Sequence, residues 1–136
     1  MLRPSQNFFR NILKLNQLVI QDYLRRRGIP ILGSMPLGAG AVMAFNIKGG
    51  LEAGKKFVEG LTLFSHVANI GDVRSLVIHP ASTTHSQLGE TGLRSAGISP
   101  GMVRLSIGIE DISDIIADLE GGFRAAKMSQ IGRAHV

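Results

Sequence analysis

From Ala41 to Lys48 apolar residues recur at every second position. Met43, Phe45 and Ile47 fall on one side, the period of a half-buried β-strand. Gly49 and Gly50 end that pattern. From Leu51 to Phe64 the spacing becomes helical, with Phe57, Val58, Leu61 and Phe64 on one face. Two short strands are predicted next, His66 to Ile70, closed by Gly71-Asp72, and Ser75 to His79, closed by Pro80, which has no N–H for a central ladder. Gly89 to Gly101 is rich in turn formers, with room for one short helix around Thr91 to Ala96. Val103 to Ile109 then alternates again. Val103, Leu105, Ile107 and Ile109 share one side and Arg104, Ser106 and Gly108 the other. A closing helix begins near Asp111, with Asp111 and Asp114 at its positive end and a stripe of Ile112, Ile115, Ile116, Leu119 and Phe123.

These elements predict an α/β fold: a two-layer sandwich with an about four-stranded, mostly antiparallel sheet and helices on one face. Three regions follow from the same pass. Residues 1–35 are basic and irregular, a linker or extraneous segment that ends in the breakers Gly28, Pro30, Gly33 and Pro36. Residues 36–127 are the patterned domain. Residues 128–136 are an aperiodic tail whose last six residues, IGRAHV, read as artefactual sequence.

Composition narrows the function classes. The 136 residues are enough for one modest core, and a hydrophobic share of 44% suits a folded chain. With no cysteine there is neither a disulfide framework nor a thiolate metal site, which fits a reducing, cytoplasmic setting. No apolar run reaches the roughly 20 residues of a membrane-spanning helix. The net charge of +5 changes meaning once located. Residues 1–30 hold Arg3, Arg10, Lys14, Arg25, Arg26 and Arg27 against Asp22 alone, and the remainder is neutral. A phosphate-tracking face on the folded part is not expected, so nucleic acid is not a predicted partner.

Among candidate chemistry-bearing residues, Arg104 comes first. It lies in an apolar strand on the side opposite the Val/Leu/Ile stripe, so it points away from the helices. A guanidinium there fits a carboxylate in two parallel hydrogen bonds. The plainer reading, favoured by pattern alone, is a surface arginine over an open sheet face. Ser75 and Thr84 carry hydroxyls able to donate to an oxyanion, although each by default is a turn or cap residue. His66, His79 and His85 have no metal-ligand spacing, so no metal site is expected. Glu110 and Asp111 look like an acid pair, but a helix start explains them more simply. Gly38-Ala39-Gly40 precedes a strand and lacks the context of a dinucleotide loop. Asn7 to Arg27 offers an alternative reading as a basic helix for a membrane surface or a partner, anchored by Phe8, Phe9, Ile12, Leu13 and Leu15.

The motifs AVMAFNIKGG, LFSHVANIGDVRSLVIHPASTTHSQL and GISPGMVRLSIGIEDISDIIADL resemble the C-terminal domain of the Cys/Met-metabolism family of pyridoxal-phosphate enzymes, over about two-thirds of the chain. The wording SHVANIGDVRSLVIHPASTTHSQ is most similar to the branch of that family acting on O-acetylhomoserine. The alternatives are the cystathionine γ-synthase and methionine γ-lyase types. The resemblance implies that Arg104 binds the substrate α-carboxylate and that Ser75 and Thr84 line the same pocket. It implies a fold-type I enzyme in which pyridoxal 5'-phosphate serves as electron sink, cytoplasmic and homotetrameric, replacing acetate by sulfide at the γ-carbon to give homocysteine. It assigns no catalytic and no cofactor-binding residue to this chain. Its lysines, Lys14, Lys48, Lys55, Lys56 and Lys127, lack the Ser-x-Thr-Lys setting of the cofactor lysine. The expectation is therefore a substrate-recognition piece, inactive alone and not covalently bound to cofactor, whose missing partner is an N-terminal cofactor domain.

Overall fold

A computed structural model describes residues 4–37, 40–66, 74–83 and 97–134, with the isolated positions 89, 92 and 95. Helix α1 (Pro4–Arg26) comes first. Strands β1 (Ile31–Leu37) and β2 (Gly40–Asn46) follow, and then helix α2 (Gly50–Glu59). Strand β3 (Leu76–Ile78), a single 3₁₀ turn at Pro80–Ser82, strand β4 (Met102–Ser106) and helix α3 (Ile112–Ala134) complete the order. The four strands run β1-β2-β4-β3, each pair antiparallel. Among the described residues α1, α2 and α3 bury residues on one face of this sheet, so the expected two-layer α/β sandwich is what the chain adopts.

The inner face is built by period two. Met43 and Phe45 of β2, Val77 of β3, and Val103, Leu105 and Ile107 on or just past β4 are all buried, as their alternation requires. Phe57 of α2 and Phe123 of α3 close on Phe45, with ring centroids 4.8 to 6.2 Å apart. Such pairs add about 0.5–1.5 kcal/mol each beyond simple burial. Gly122 permits this approach, since a Cβ there would stand 2.9 Å from the Phe57 ring.

Two elements differ from the sequence expectation, and one expected strand falls outside the described residues. Residues 31–37 form β1 although Gly33 and Pro36 read as breakers. β1 is an edge strand with a register irregularity between Ile31 and Gly33, and an edge tolerates both residues. The strand expected from His66 to Ile70 lies, apart from His66, outside the described residues. Ser65 makes an isolated parallel bridge to Leu76, His66 is irregular, and 67–70 lie outside the described residues. The second difference is helical backbone where irregular ends were expected, through Ala134 at one end and Pro4–Arg26 at the other, the latter as the alternative reading of Asn7 to Arg27 had it.

Helix α1 has a reason to form and a reason to stop. Leu13, Asn16, Gln17, Ile20 and Leu24 are buried at helical spacing, Ile20 and Leu24 within the main core. Gly28, at φ 80, ends it in a Schellman arrangement. Gly28 N–H donates to Arg25 O at 2.9 Å and Ile29 N–H to Leu24 O at 3.0 Å. The polar Asn16 of the buried stripe has a role too. Asn16 Nδ2 donates to the carbonyls of Gly108 and Glu110, both at 2.9 Å, pinning α1 to the turn between β4 and α3.

Candidate functional site

Arg104 stands in the middle of β4, opposite Ala44 of β2 and Ile78 of β3. Its neighbours Val103 and Leu105 are fully buried beneath the helices, so its side chain issues from the other face, where it is half-buried. Ala81, Ile98 and Met102 make a small apolar cluster beside it. Ser106, on the same face, is buried. A half-buried guanidinium gains more from a bidentate carboxylate contact than a fully solvated one does.

Ser75 has different surroundings. It is fully buried, one residue before β3. Its Oγ donates to Glu110 Oε1 at 2.8 Å and accepts from Gly108 N–H at 2.9 Å. Its own N–H donates to Glu110 Oε2 at 2.8 Å. Gly108 lies four residues beyond Arg104 along the chain, about 13 Å at the rise of an extended strand. The serine's single proton is already committed to Glu110 Oε1. Thr84 lies outside the described residues. Thr83, its neighbour, donates from Oγ1 to His79 O at 2.8 Å.

The acid pair at the start of α3 divides its work. Asp111 behaves as the cap expected there, its Oδ1 accepting from Ser113 N–H at 2.8 Å. Glu110 does not; it is the clamp on Ser75. A second carboxylate, Asp118 on α3, accepts from Thr62 N–H and Oγ1, Leu63 N–H and Phe64 N–H, at 2.7 to 3.2 Å. It ties α3 to the chain leaving α2. Both clamps join residues far apart in sequence, so no local pattern announces them.

His79 is a satisfied interior histidine. It is 1% exposed, with Nδ1 bonded to Ser82 Oγ at 2.8 Å and Nε2 to Pro100 O at 2.6 Å. Burial holds its pKa below the ordinary value, so the ring is neutral at pH 7 with Nε2–H donating to the carbonyl. The ring rests against Gly54 of α2, where a Cβ would meet Nε2 at 2.5 Å. It thereby fixes the turn after β3 to the loop entering β4, the two segments that flank Arg104. Among the described residues no group of three His, Asp or Glu side chains could hold a metal ion. No described helix is long and apolar enough to cross a membrane. Of the apolar anchors proposed for a surface-binding helix, Leu13 is buried and Ile12 half-buried, Phe8 and Leu15 are exposed, and the Phe9 side chain lies outside the description.

Comparison with known proteins bears on this geometry. A family model described as Cys/Met metabolism PLP-dependent enzyme matches residues 28–124. An O-acetyl-L-homoserine sulfhydrylase from Corynebacterium glutamicum is 62% identical over 86 residues, which are 63% of this chain and 20% of that protein. An L-methionine gamma-lyase from Pseudomonas putida is 46% identical over 87 residues, 64% of this chain and 22% of the relative. A crystal structure of cystathionine gamma synthase from Xanthomonas oryzae pv. oryzae in complex with cystathionine superposes with a TM-score of 0.71 at 31% identity. That likeness covers 90% of this chain and 35% of the other. The chain thus spans about a fifth of the length of the curated relatives it matches.

Proposed function

The chain belongs to the family of Cys/Met metabolism PLP-dependent enzymes, and on that premise we propose that it forms the carboxylate-gripping part of an O-acetylhomoserine sulfhydrylase. The observation that carries the reading is Arg104, half-buried on the face of the sheet opposite Val103 and Leu105. Its fork binds the α-carboxylate of the amino-acid substrate, and Thr84, five residues beyond His79 in the sequence, donates a second hydrogen bond. Ser75 takes part as the anchor of the strand beside Arg104, through Glu110 and Gly108. Holding the carboxylate fixes the Cα–H bond in space, a positioning contribution. In the whole enzyme acetate leaves the γ-carbon of O-acetylhomoserine and sulfide takes its place, giving homocysteine. A methionine γ-lyase reading shares the same grip but rests on lower identity.

Pyridoxal phosphate is the family's cofactor. Its covalent attachment needs an amine beside the substrate, and the residues present do not fit that need. Lys14, Lys55, Lys56 and Lys127 ride on the helical layer, and Lys48 sits in the turn after β2. None shares the outer face with Arg104. A further domain supplies that chemistry, and assembly with it, as a homotetramer in the cytoplasm, belongs to the same proposal.

The reading is tested on the chain itself. Titration with O-acetyl-L-homoserine, followed by NMR at the Arg104 side-chain N–H, is expected to give saturable shifts that vanish in Arg104→Lys while the fold persists. Shifts that map elsewhere, or survive the substitution, refute the grip. A stoichiometric, reducible cofactor absorbance on adding pyridoxal phosphate refutes the assignment of covalent attachment to another domain.

A further inference from the structure

Arg104 stands on the last rung of its ladder with β3. The two strands pair Leu76 with Ser106, Val77 with Leu105 and Ile78 with Arg104. Beyond Ile78 the pairing stops, because Pro80 has no N–H to continue it. The His79 carbonyl turns instead to its own 3₁₀ turn, accepting from Ser82 N–H at 3.1 Å and Thr83 Oγ1 at 2.8 Å. The His79 side chain crosses the gap that is left. Its Nε2 meets Pro100 O at 2.6 Å, in the loop that enters β4. That loop is tied to β2 on its other flank, by Ile47 N–H on Gly101 O at 2.9 Å and by Ser99 Oγ on Asn46 Oδ1. The imidazole supplies the tie on the β3 side. Ser82 Oγ on Nδ1 fixes its tautomer, Gly54 of α2 lies against the ring, and its burial shuts out water as a substitute donor. Ala81 of the turn and Ile98 of the loop close on Met102, two residues before Arg104 on the same face.

We infer that His79 is a positioning residue for Arg104: its imidazole replaces the rung that Pro80 removes and so fixes where the guanidinium meets a carboxylate. The inference rests on the carboxylate reading of Arg104 given above. Without its donor the Pro100 carbonyl must turn to water, and the entry to β4 loosens on the β3 side. Arg104 then samples more positions, and less of its bidentate contact survives. The tie also carries a pH dependence, since Nδ1 is open to a second proton. Burial opposes that charge most, the Pro100 carbonyl partly favours it, and the cation Lys55 on α2 opposes it again. Ser82, Gly54 and Pro100 bring no charge. The ring is therefore neutral at pH 7.5, and a proton gained as pH falls sets a poorly solvated cation in the seat.

The test titrates the full chain with O-acetyl-L-homoserine at pH 7.5 and pH 5, reading affinity from isotope-labelled Arg104 Cζ by NMR. His79→Gln keeps a donor for Pro100 O and has no second proton to take. It is expected to bind as the parent does at pH 7.5. His79→Asn is too short to reach and is expected to bind about threefold to tenfold more weakly, the worth of one hydrogen bond. Between pH 7.5 and 5 the parent should lose affinity, and His79→Gln should lose less; any titration of the substrate itself is common to both. The ligand-free Arg104 signal should likewise move with pH in the parent more than in His79→Gln. Circular dichroism checks the fold of each sample, and should His79→Asn not fold, the pH comparison decides alone. Equal affinity in the two variants, or equal pH dependence in the parent and His79→Gln, would each overturn the inference and leave the grip standing. No saturable binding by the parent at pH 7.5 would instead sink the grip, and the ligand-free signal would still report on the tie.

Discussion

Removing the Ser75 hydroxyl should cost far more than a surface serine would. Ser75→Ala deletes a 2.8 Å bond to a carboxylate and leaves the buried Gly108 N–H without its acceptor. A hydrogen bond to a charged group is worth about 1.5–3 kcal/mol, and a stranded buried donor about 1–3 kcal/mol. The two losses overlap, so a destabilisation of about 2–4 kcal/mol is expected. For a domain of this size that is roughly 8–16 °C in melting temperature. Glu110→Ala should cost about 3 kcal/mol, because it removes the acceptor of both the Ser75 N–H and its hydroxyl. Glu110→Gln should cost less, since one acceptor oxygen remains. The double variant decides the matter. If the two side chains act on each other, their effects should fall short of additivity by about 1–2 kcal/mol in urea unfolding. Effects that add within about 0.3–0.5 kcal/mol, or a Ser75→Ala loss below about 0.5 kcal/mol, would refute the clamp.

Two further outcomes follow from the same geometry. Asp118→Ala strands the N–H groups of Thr62, Leu63 and Phe64, so a loss of about 3 kcal/mol or more is expected, read by thermal melting. A shift under 3 °C would sink it. His79 has a folded pKa held below its unfolded value of 6.5 by burial. Its contribution is therefore complete above pH 6.5 and is lost as pH falls towards the depressed folded value, because the unfolded chain takes the proton first. Urea midpoints measured from pH 7.5 down to 5 should fall more steeply in the parent than in His79→Gln; equal slopes would refute the neutral clasp.

How much was legible depends on how local each cause is. β2, β4 and the stripe of α3 could be read because each buries one face against a single layer, and that writes a period into the residues. The alternation from Val103 to Ile107 also placed Arg104 on the correct face. β1 could not be read, since an edge strand pairs on one side only and admits Gly33 and Pro36. Helix α1 was obscured because Asn16 and Gln17 interrupt its apolar stripe, and Asn16 is acceptable there only through the carbonyls of Gly108 and Glu110, more than ninety residues away. Glu110 was missed for the same reason. Its partner is 35 residues back, and its neighbour Asp111 does what a helix start would ask of both.

The turn from Gly108 to Glu110 is where these long-range causes converge. One carboxylate holds the entry to β3, one backbone N–H meets the Ser75 hydroxyl, and two carbonyls receive α1. The register of β4 fixes the side on which Arg104 emerges, and a slip of one residue would turn it into the core and Leu105 out of it. That slip is opposed from both ends. Gly101 O accepts from Ile47 N–H where β4 begins, and the turn is bonded to two other elements where it finishes. The basic first segment therefore has a structural consequence for the outer face. Ile20 and Leu24, wholly buried, anchor α1 in the main core, and Asn16 braces the turn that holds β4 in register. Weakening α1 at Asn16 should thus loosen the position of Arg104 without touching it.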